Sequence, residues 1–284
     1  MGKRYDSPRV THVVVLRKGK WKTSRTAYQQ TIGGRKMKLN TVYNEDCMEG
    51  MKRIPDKSVK LIVTDPPYLH VKGGMKSKVF NGKTNGTWRG DSHMVTKMSD
   101  FDKDKIFQFL DLSLQKMEKA NMFIFCSKLQ LVHYFEYISQ HKKLKYDLLV
   151  WDKVKYSMKS TKFYTSDIEY VVRIYQAGVS LNKILVEDGS KSDINYYLKR
   201  QSFAQPKGSH GTMKPTGLIE RFIRVASKED DVVLDPFMGS GTTAIACLNT
   251  DRQYIGFELD ETYHKLSLER IENHTPRTKE RKEK

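Results

Sequence analysis

Cysteine is scarce in this chain. Cys47, Cys126 and Cys247 are the only three in 284 residues, and no two of them form a C-x-x-C pair. That argues against a disulfide framework and against a cysteine zinc site, so no metal is expected and a reducing, intracellular setting fits. Long apolar runs are missing as well. Val13–Leu16, the longest early one, falls far short of the ~20 residues of a membrane span. No signal-peptide hydrophobic region is evident, so a cytoplasmic location, with no membrane partner, is expected. Met1-Gly2 would open a myristoylation signal, but Asp6 stands where that signal needs Ser or Thr. Acids are in deficit too, with 33 Asp and Glu against 51 Lys and Arg and a formal net charge of +18.

Such an excess concerns partners and solubility, not fold, and it points to a polyanion, most commonly nucleic acid. Its distribution is uneven. Residues 1–38 carry 11 Lys and Arg against the single acid Asp6, and residues 273–284 carry five against two. Most of the excess therefore lies at the two ends, and the body is only mildly basic. Hydrophobic residues at 38% suffice for a core, so disorder throughout is not expected.

Residues 1–38 read as a basic appendage, with Val13–Leu16 and Trp21–Ser24 forming a small hairpin around Lys18-Gly19-Lys20. Residues 39–272 read as the catalytic domain, and 273–284 as a basic tail. Within the domain, apolar β-branched runs alternate with stretches of helical spacing. Strands are predicted at Thr41–Tyr43, Val59–Val63, Met122–Phe125, Tyr146–Trp151, Ile168–Ile174, Asp231–Leu234 and Tyr254–Phe257. Helices are predicted at Cys47–Ile54, Ile106–Met117, Leu129–Ile138, Leu218–Ala226, Thr242–Leu248 and Thr262–Ile271. This alternation predicts an α/β fold with a mostly parallel sheet and helices on both faces, whose ligands bind outside the carboxyl ends of the strands. Two stretches interrupt it: a long glycine- and lysine-bearing loop over 69–100 and a polar segment over 178–209.

Two motifs follow predicted strands. In the first to be considered, Asp235-Pro236-Phe237-Met238-Gly239-Ser240-Gly241-Thr242, a strand feeds a tight glycine turn that opens a helix. Gly239 and Gly241 let the backbone approach a ligand closely. The next strand ends in Glu258, an acid placed to accept hydrogen bonds from both ribose hydroxyls of a nucleoside cofactor. No lysine follows Gly241, which argues against a nucleotide-binding P-loop. Gly239 to Ala244 gives G-x-G-x-x-A, a pattern that dinucleotide folds permit. From this stretch alone a dehydrogenase, a nucleoside-cofactor enzyme and a plain strand–helix turn all remain open.

The second motif is Asp65-Pro66-Pro67-Tyr68. A chance match in a chain of this length has odds of roughly one in a thousand, and it sits at the end of a buried strand, so a bare turn with a capping Asp explains it less well than a site. Its chemistry suits an aromatic exocyclic amine, whose lone pair is delocalised into the ring. Asp65 and the Pro66 carbonyl can accept both amine hydrogens, pull the nitrogen towards tetrahedral geometry and aim its lone pair at an electrophile. The prolines hold these acceptors rigid. Tyr68 offers a flat face to a base and a cation–π surface to a sulfonium. A base inside a duplex must be flipped out to reach such a pocket.

With both motifs in view, the chain resembles the site-specific amino-methyltransferases of DNA, in the permuted, beta-class-like arrangement where the catalytic motif precedes the cofactor motif. The resemblance spans about 39–272. Asp65–Tyr68 is similar to the catalytic D-P-P-Y of the adenine-N6 type, Asp235–Gly241 to the D-P-F-x-G-S-G cofactor turn, and Glu258 to the ribose acid. Asp46 matches the acid that contacts the cofactor adenine. His210 and Lys214 lie in a segment similar to the H-x-x-x-K-P element over the methionine end. Val150–Lys153 and Asp167–Tyr170 resemble segments that wall the pocket. The resemblance implies a Rossmann-like, S-adenosylmethionine-dependent fold with circularly permuted motif order, and methylation of a flipped adenine at N6 in double-stranded DNA. It places target recognition in 178–209, with help from loop 69–100, and Arg200, Gln201 and Gln205 as candidate base readers. It also raises a homodimer, a cognate restriction endonuclease and association with a nucleoid.

Three other readings are weaker. Cytosine-N4 methylation uses the same chemistry but more often has Ser in place of Asp65. Cytosine-C5 methylation needs a Pro-Cys thiolate, and the three cysteines follow Asp46, Phe125 and Ala246. A catalytically silent nucleic-acid-binding subunit has no need of intact motifs.

Overall fold

A computed structural model of the chain describes residues 16–17, 20–21, 37–68, 101–153, 168–182, 200–202 and 213–275. Ten strands and six helices follow in chain order among them. Strands β1 (Leu16–Arg17) and β2 (Lys20–Trp21) pair antiparallel as a separate two-stranded sheet. Next come β3 (Thr41–Tyr43), α1 (Cys47–Lys52), β4 (Leu61–Thr64), α2 (Lys103–Lys116), β5 (Asn121–Cys126), α3 (Leu131–Gln140), β6 (Leu144–Asp152) and β7 (Ile168–Gln176). The rest are β8 (Arg200–Ser202), α4 (Thr216–Ala226), β9 (Val232–Asp235), α5 (Thr242–Asn249), β10 (Gln253–Phe257) and α6 (Glu261–Glu272).

Eight strands form one sheet in the order β3-β10-β9-β4-β5-β7-β6-β8. All neighbours are parallel except the two pairs that β7 makes, so β7 alone runs against the rest. The side chains explain the layering. Along β4, β5 and β7 successive apolar residues point to opposite faces. Ile62, Met122, Ile124, Val172 and Ile174 pack with Met51 of α1, Phe109 of α2 and Tyr134 of α3. Leu61, Val63, Phe123, Phe125 and Val171 pack with Leu218 and Phe222 of α4 and Ala244 of α5. Helices thus cover both faces, as a parallel sheet with unbroken apolar strands requires.

Capping residues set where several helices begin. The side chains of Asp46, Asp102 and Asp260 each accept backbone N–H bonds in the first turn of α1, α2 and α6. α1 stops at Lys52, two residues short of the predicted end, and β4 starts at Leu61 because Val59 makes only an isolated bridge to Met117. Met37, placed by sequence in the appendage, is 2% exposed and packs into the core beside α1. β8 was not foreseen. It lies within the polar segment 178–209 and adds a three-residue edge strand beside β6. Its sequence, Arg-Gln-Ser, carries no apolar alternation from which a strand could be read. The loop over 69–100, Gln205 and the tail beyond 275 lie outside the described residues, and among the described residues no helix is long and apolar enough to cross a membrane.

Candidate active site

Four adjacent parallel strands each end in one element of the site. β3 leads to Asp46, β10 to Glu258, β9 to Asp235 and the glycine turn, and β4 to Asp65–Tyr68. Their shared direction brings sequence-distant residues to one edge of the sheet. The reversed strand β7 adds its own beginning to that edge, so Glu169 lies beside the ends of β5 and β6.

The glycine turn is tightly specified. Gly241 has φ +83°, and a Cβ there would meet Ser267 of α6 at 3.1 Å, so any other residue would be both strained and crowded. Gly239 has φ +53°, and the nearest atom to a Cβ built on it is the Phe237 carbonyl oxygen at 4.0 Å. Backbone N–H groups of Gly239 and Asp260 donate to the two oxygens of Glu258, each at 2.8 Å. Burial pushes the Glu258 carboxyl up, and those two bonds pull it partly back. Each oxygen keeps a further lone pair. Arg270 of α6, unnoticed in the sequence, clasps the turn by donating to the Ser240 carbonyl and, at 2.8 Å, to its hydroxyl. Pro236 and Thr242 are buried, and the Thr242 hydroxyl finds no partner among the described residues. Phe237 packs edge-on against Phe101 and Phe109 at 5.2 and 5.8 Å. Asp46 is exposed at the start of α1, with one oxygen occupied by capping bonds.

Asp235 faces inward. Its Oδ1 accepts from Thr64 Oγ1 at 2.7 Å and from Phe237 N at 3.1 Å, and burial pushes its carboxyl up to about 6. Thr64 immediately precedes Asp65, so this bond ties the two motifs together. Asp235 therefore supports the turn from beneath.

Asp65 sits in a chain of alternating charges. Its Oδ2 pairs with the Lys214 ammonium, which also lies 3.2 Å from Glu169, and Glu169 in turn pairs with Lys153 at 2.6 Å. The Tyr68 hydroxyl donates to Glu169 at 3.1 Å. Lys214 lies 5.6, 5.1 and 6.0 Å from the ring centres of Tyr68, Phe125 and Trp151, a cation within an aromatic cage. Burial pulls the Lys214 ammonium down, but the two carboxylates outweigh it and leave it raised. Burial pushes the Asp65 carboxyl up and Lys214 opposes the shift. Its other oxygen, Oδ1, is buried and makes no hydrogen bond among the described residues. Among the described residues it is an acceptor left over for a donor.

Asp65, Tyr68, Lys214, Asp235, Glu258 and the glycine turn are thus brought together along one edge. His210 lies outside the described residues. Sequence reasoning had placed Lys153 and Glu169 only in wall segments and had passed over Thr64 and Gln130. A charge inside a mainly apolar strand, such as Glu169 ahead of Tyr170-Val171-Val172, is the available signal.

Fold and site together define a Rossmann-like α/β protein with a glycine turn one strand away from the Asp65 carboxylate. A family model described as DNA methylase matches residues 59–269. The chain belongs to the DNA methylase family. Among curated relatives, the type II methyltransferase M2.MboI of Moraxella bovis is 27% identical over 245 residues, covering 83% of this chain and 88% of its own. The DNA adenine methyltransferase YhdJ of Escherichia coli (strain K12) is 25% identical over 273 residues, covering 87% of each. Among solved structures, the M1.HpyAVI–SAM complex superposes with a TM-score of 0.57 at 24% identity, over 81% of this chain and 98% of that one. The cytosine-N4-specific PvuII DNA methyltransferase superposes with the same TM-score, 0.57, at 16% identity, over 83% and 88%.

Proposed function

We propose that the protein methylates N6 of adenine in DNA, with S-adenosylmethionine as donor. The observation that carries this reading is the buried Asp65 Oδ1, which has no hydrogen-bond partner among the described residues, on a proline-stiffened peptide one strand away from the glycine turn. The name of YhdJ supports adenine as the base. The motif order, Asp65 ahead of Asp235, supports the permuted arrangement.

The residues present fit the donor. Glu258 keeps lone pairs for ribose hydroxyls, Gly239 leaves space at the turn, and Asp46 lies one strand beyond. When bound, S-adenosylmethionine supplies an electrophilic methyl group on a cationic sulfur. The chain does the rest by positioning. Asp65 Oδ1 and the Pro66 carbonyl accept the two amine hydrogens and orient the lone pair, and Tyr68 supports the flipped base. No covalent link to the protein is required. The surplus proton of the methylated amine can pass to Asp65.

Glu258→Ala is expected to weaken the cofactor by about tenfold or more, with little change in DNA affinity, because a hydroxyl-to-carboxylate bond is worth about 1.5–3 kcal/mol. Calorimetric titration of both ligands checks this, and equal losses of both would count against the ribose role.

The basic ends are proposed to touch phosphates. Removing residues 1–36, which spares the buried Met37, is expected to reduce the slope of log affinity against log salt by roughly 0.9 for each phosphate those residues neutralise. An unchanged slope in binding titrations would free those charges from the interface. The type II name of M2.MboI makes a second copy of the chain and a cognate endonuclease the protein partners to test for, by sedimentation and by co-purification.

The deciding experiment is methyl transfer from labelled S-adenosylmethionine to duplex DNA, read by nucleoside mass spectrometry. N6-methyladenine sustains the proposal. N4-methylcytosine keeps the mechanism and changes the base, label in RNA alone changes the substrate, and no label anywhere overturns it.

A further inference from the structure

Gln130 has no surface exposure at all, and its amide is fully engaged. Oε1 accepts from Ser127 N and Ser127 Oγ, both at 3.1 Å. Nε2 donates to the Pro67 carbonyl at 2.9 Å and to the Phe101 carbonyl at 3.2 Å. Pro67 belongs to the peptide that carries Asp65. Phe101 is 33 positions further on in sequence than Tyr68 and packs edge-on against Phe237 of the glycine turn. A single NH2 group therefore draws together the chain where it leaves the Asp65–Tyr68 peptide and where it returns to the core.

We propose that Gln130 is a positioning residue for methyl transfer: its buried amide pins the Asp65–Tyr68 peptide, through the Pro67 carbonyl, to the point at which the chain re-enters at Phe101. The inference rests on the reading of Asp65–Tyr68 as the catalytic peptide. The physical need is clear. Pro66 and Pro67 have no N–H with which to anchor themselves, so these two residues can be hydrogen-bonded only through their carbonyls. A donor that is itself oriented by two bonds from Ser127 is well suited to that. The acceptors of the peptide are thereby held to the described core at Phe101 through one nitrogen.

The test uses the full-length enzyme with saturating cofactor. Gln130→Met keeps the length and removes the donor. It is expected to lower kcat between about ten- and a hundredfold, to leave KM for DNA and cofactor affinity within about twofold, and to speed amide hydrogen exchange at Tyr68. Gln130→Glu adds a signature that packing cannot mimic. Its carboxyl can donate to the Pro67 carbonyl only when protonated, so the ratio of variant to wild-type kcat is expected to rise as pH falls from about 8.5 to about 6. A pH-independent ratio, or kcat unchanged with only a lowered Tm, overturns the proposal. Should Gln130→Met fail to fold, Ser127→Ala removes one of the bonds that orient the amide. It is expected to lower kcat a few-fold with KM unchanged, and wild-type kcat there would overturn the proposal equally. Failure of the underlying reading looks different: no transfer by wild type, or full rate in Asp65→Ala.

Discussion

Asp65→Ala is expected to lower kcat by about a thousandfold or more while leaving cofactor affinity within a few-fold of wild type. The reason is separation within the sheet. Asp65 follows β4, whereas the glycine turn and Glu258 follow β9 and β10, and the Thr64–Asp235 bond that links them survives the change. What is lost is a charged acceptor in a buried position. Hydrogen bonds to charged acceptors are about twice as strong as neutral ones, and this one acts while positive charge develops on the attacking nitrogen. Asp65→Asn, which retains a neutral acceptor, should fall between the two. Single-turnover rates at saturating cofactor and DNA check the order. A full rate in the alanine variant would remove Asp65 from the mechanism.

Lys214→Met should change the pH dependence more than any other substitution at the site. Lys214 is 8% exposed and serves two carboxylates, Asp65 and Glu169. Glu169 retains Lys153 when Lys214 is lost, so the burden falls on Asp65, whose carboxyl burial already pushes up. Without its cation it takes up a proton and ceases to offer the amine a charged acceptor. The active carboxylate form is then lost as pH falls through the newly raised value. At neutral pH kcat is expected to drop by roughly an order of magnitude or more, since each unit by which the carboxyl rises above the ambient pH costs about tenfold in carboxylate, and to recover as the pH is raised. Stability should move the opposite way. The folded variant binds a proton that the unfolded chain releases near its ordinary value of about 3.9. Stability is therefore greatest below that value and falls as pH rises through the folded-state value. Rate profiles and urea melts across pH test both signs. A rate ratio to wild type that does not vary with pH would place Lys214 with the cofactor alone, as its motif first suggested.

Much of this architecture was legible in the residues. β4, β5, β7 and β9 are apolar on both faces, and runs such as Val59–Val63 and Met122–Phe125 announce buried strands without ambiguity. Asp65–Tyr68 and the Gly239–Gly241 turn were legible because prolines and glycines constrain the backbone locally, whatever surrounds them. The partners of these motifs were not legible. Thr64–Asp235, Gln130–Pro67 and Lys214–Glu169 join positions 171, 63 and 45 residues apart, and nothing within either short segment names the other. β8 was missed for a related reason: an edge strand of polar residues carries no periodicity, because one side of it meets no core.

The Thr64–Asp235 bond lies on a ladder whose register is fixed at Leu61↔Val233 and Ile62↔Leu234. Such a register cannot drift by one residue without moving every side chain of the strand to the opposite core layer. The spacing between the proposed sites of methyl donor and acceptor is thus a dimension of the sheet, like the gauge of a railway. If the segments over 69–100 and 178–209 read the target, as the resemblance implies, grafting other segments there changes the target and leaves that gauge unaltered, since lengthening a loop costs little more than the logarithm of its size.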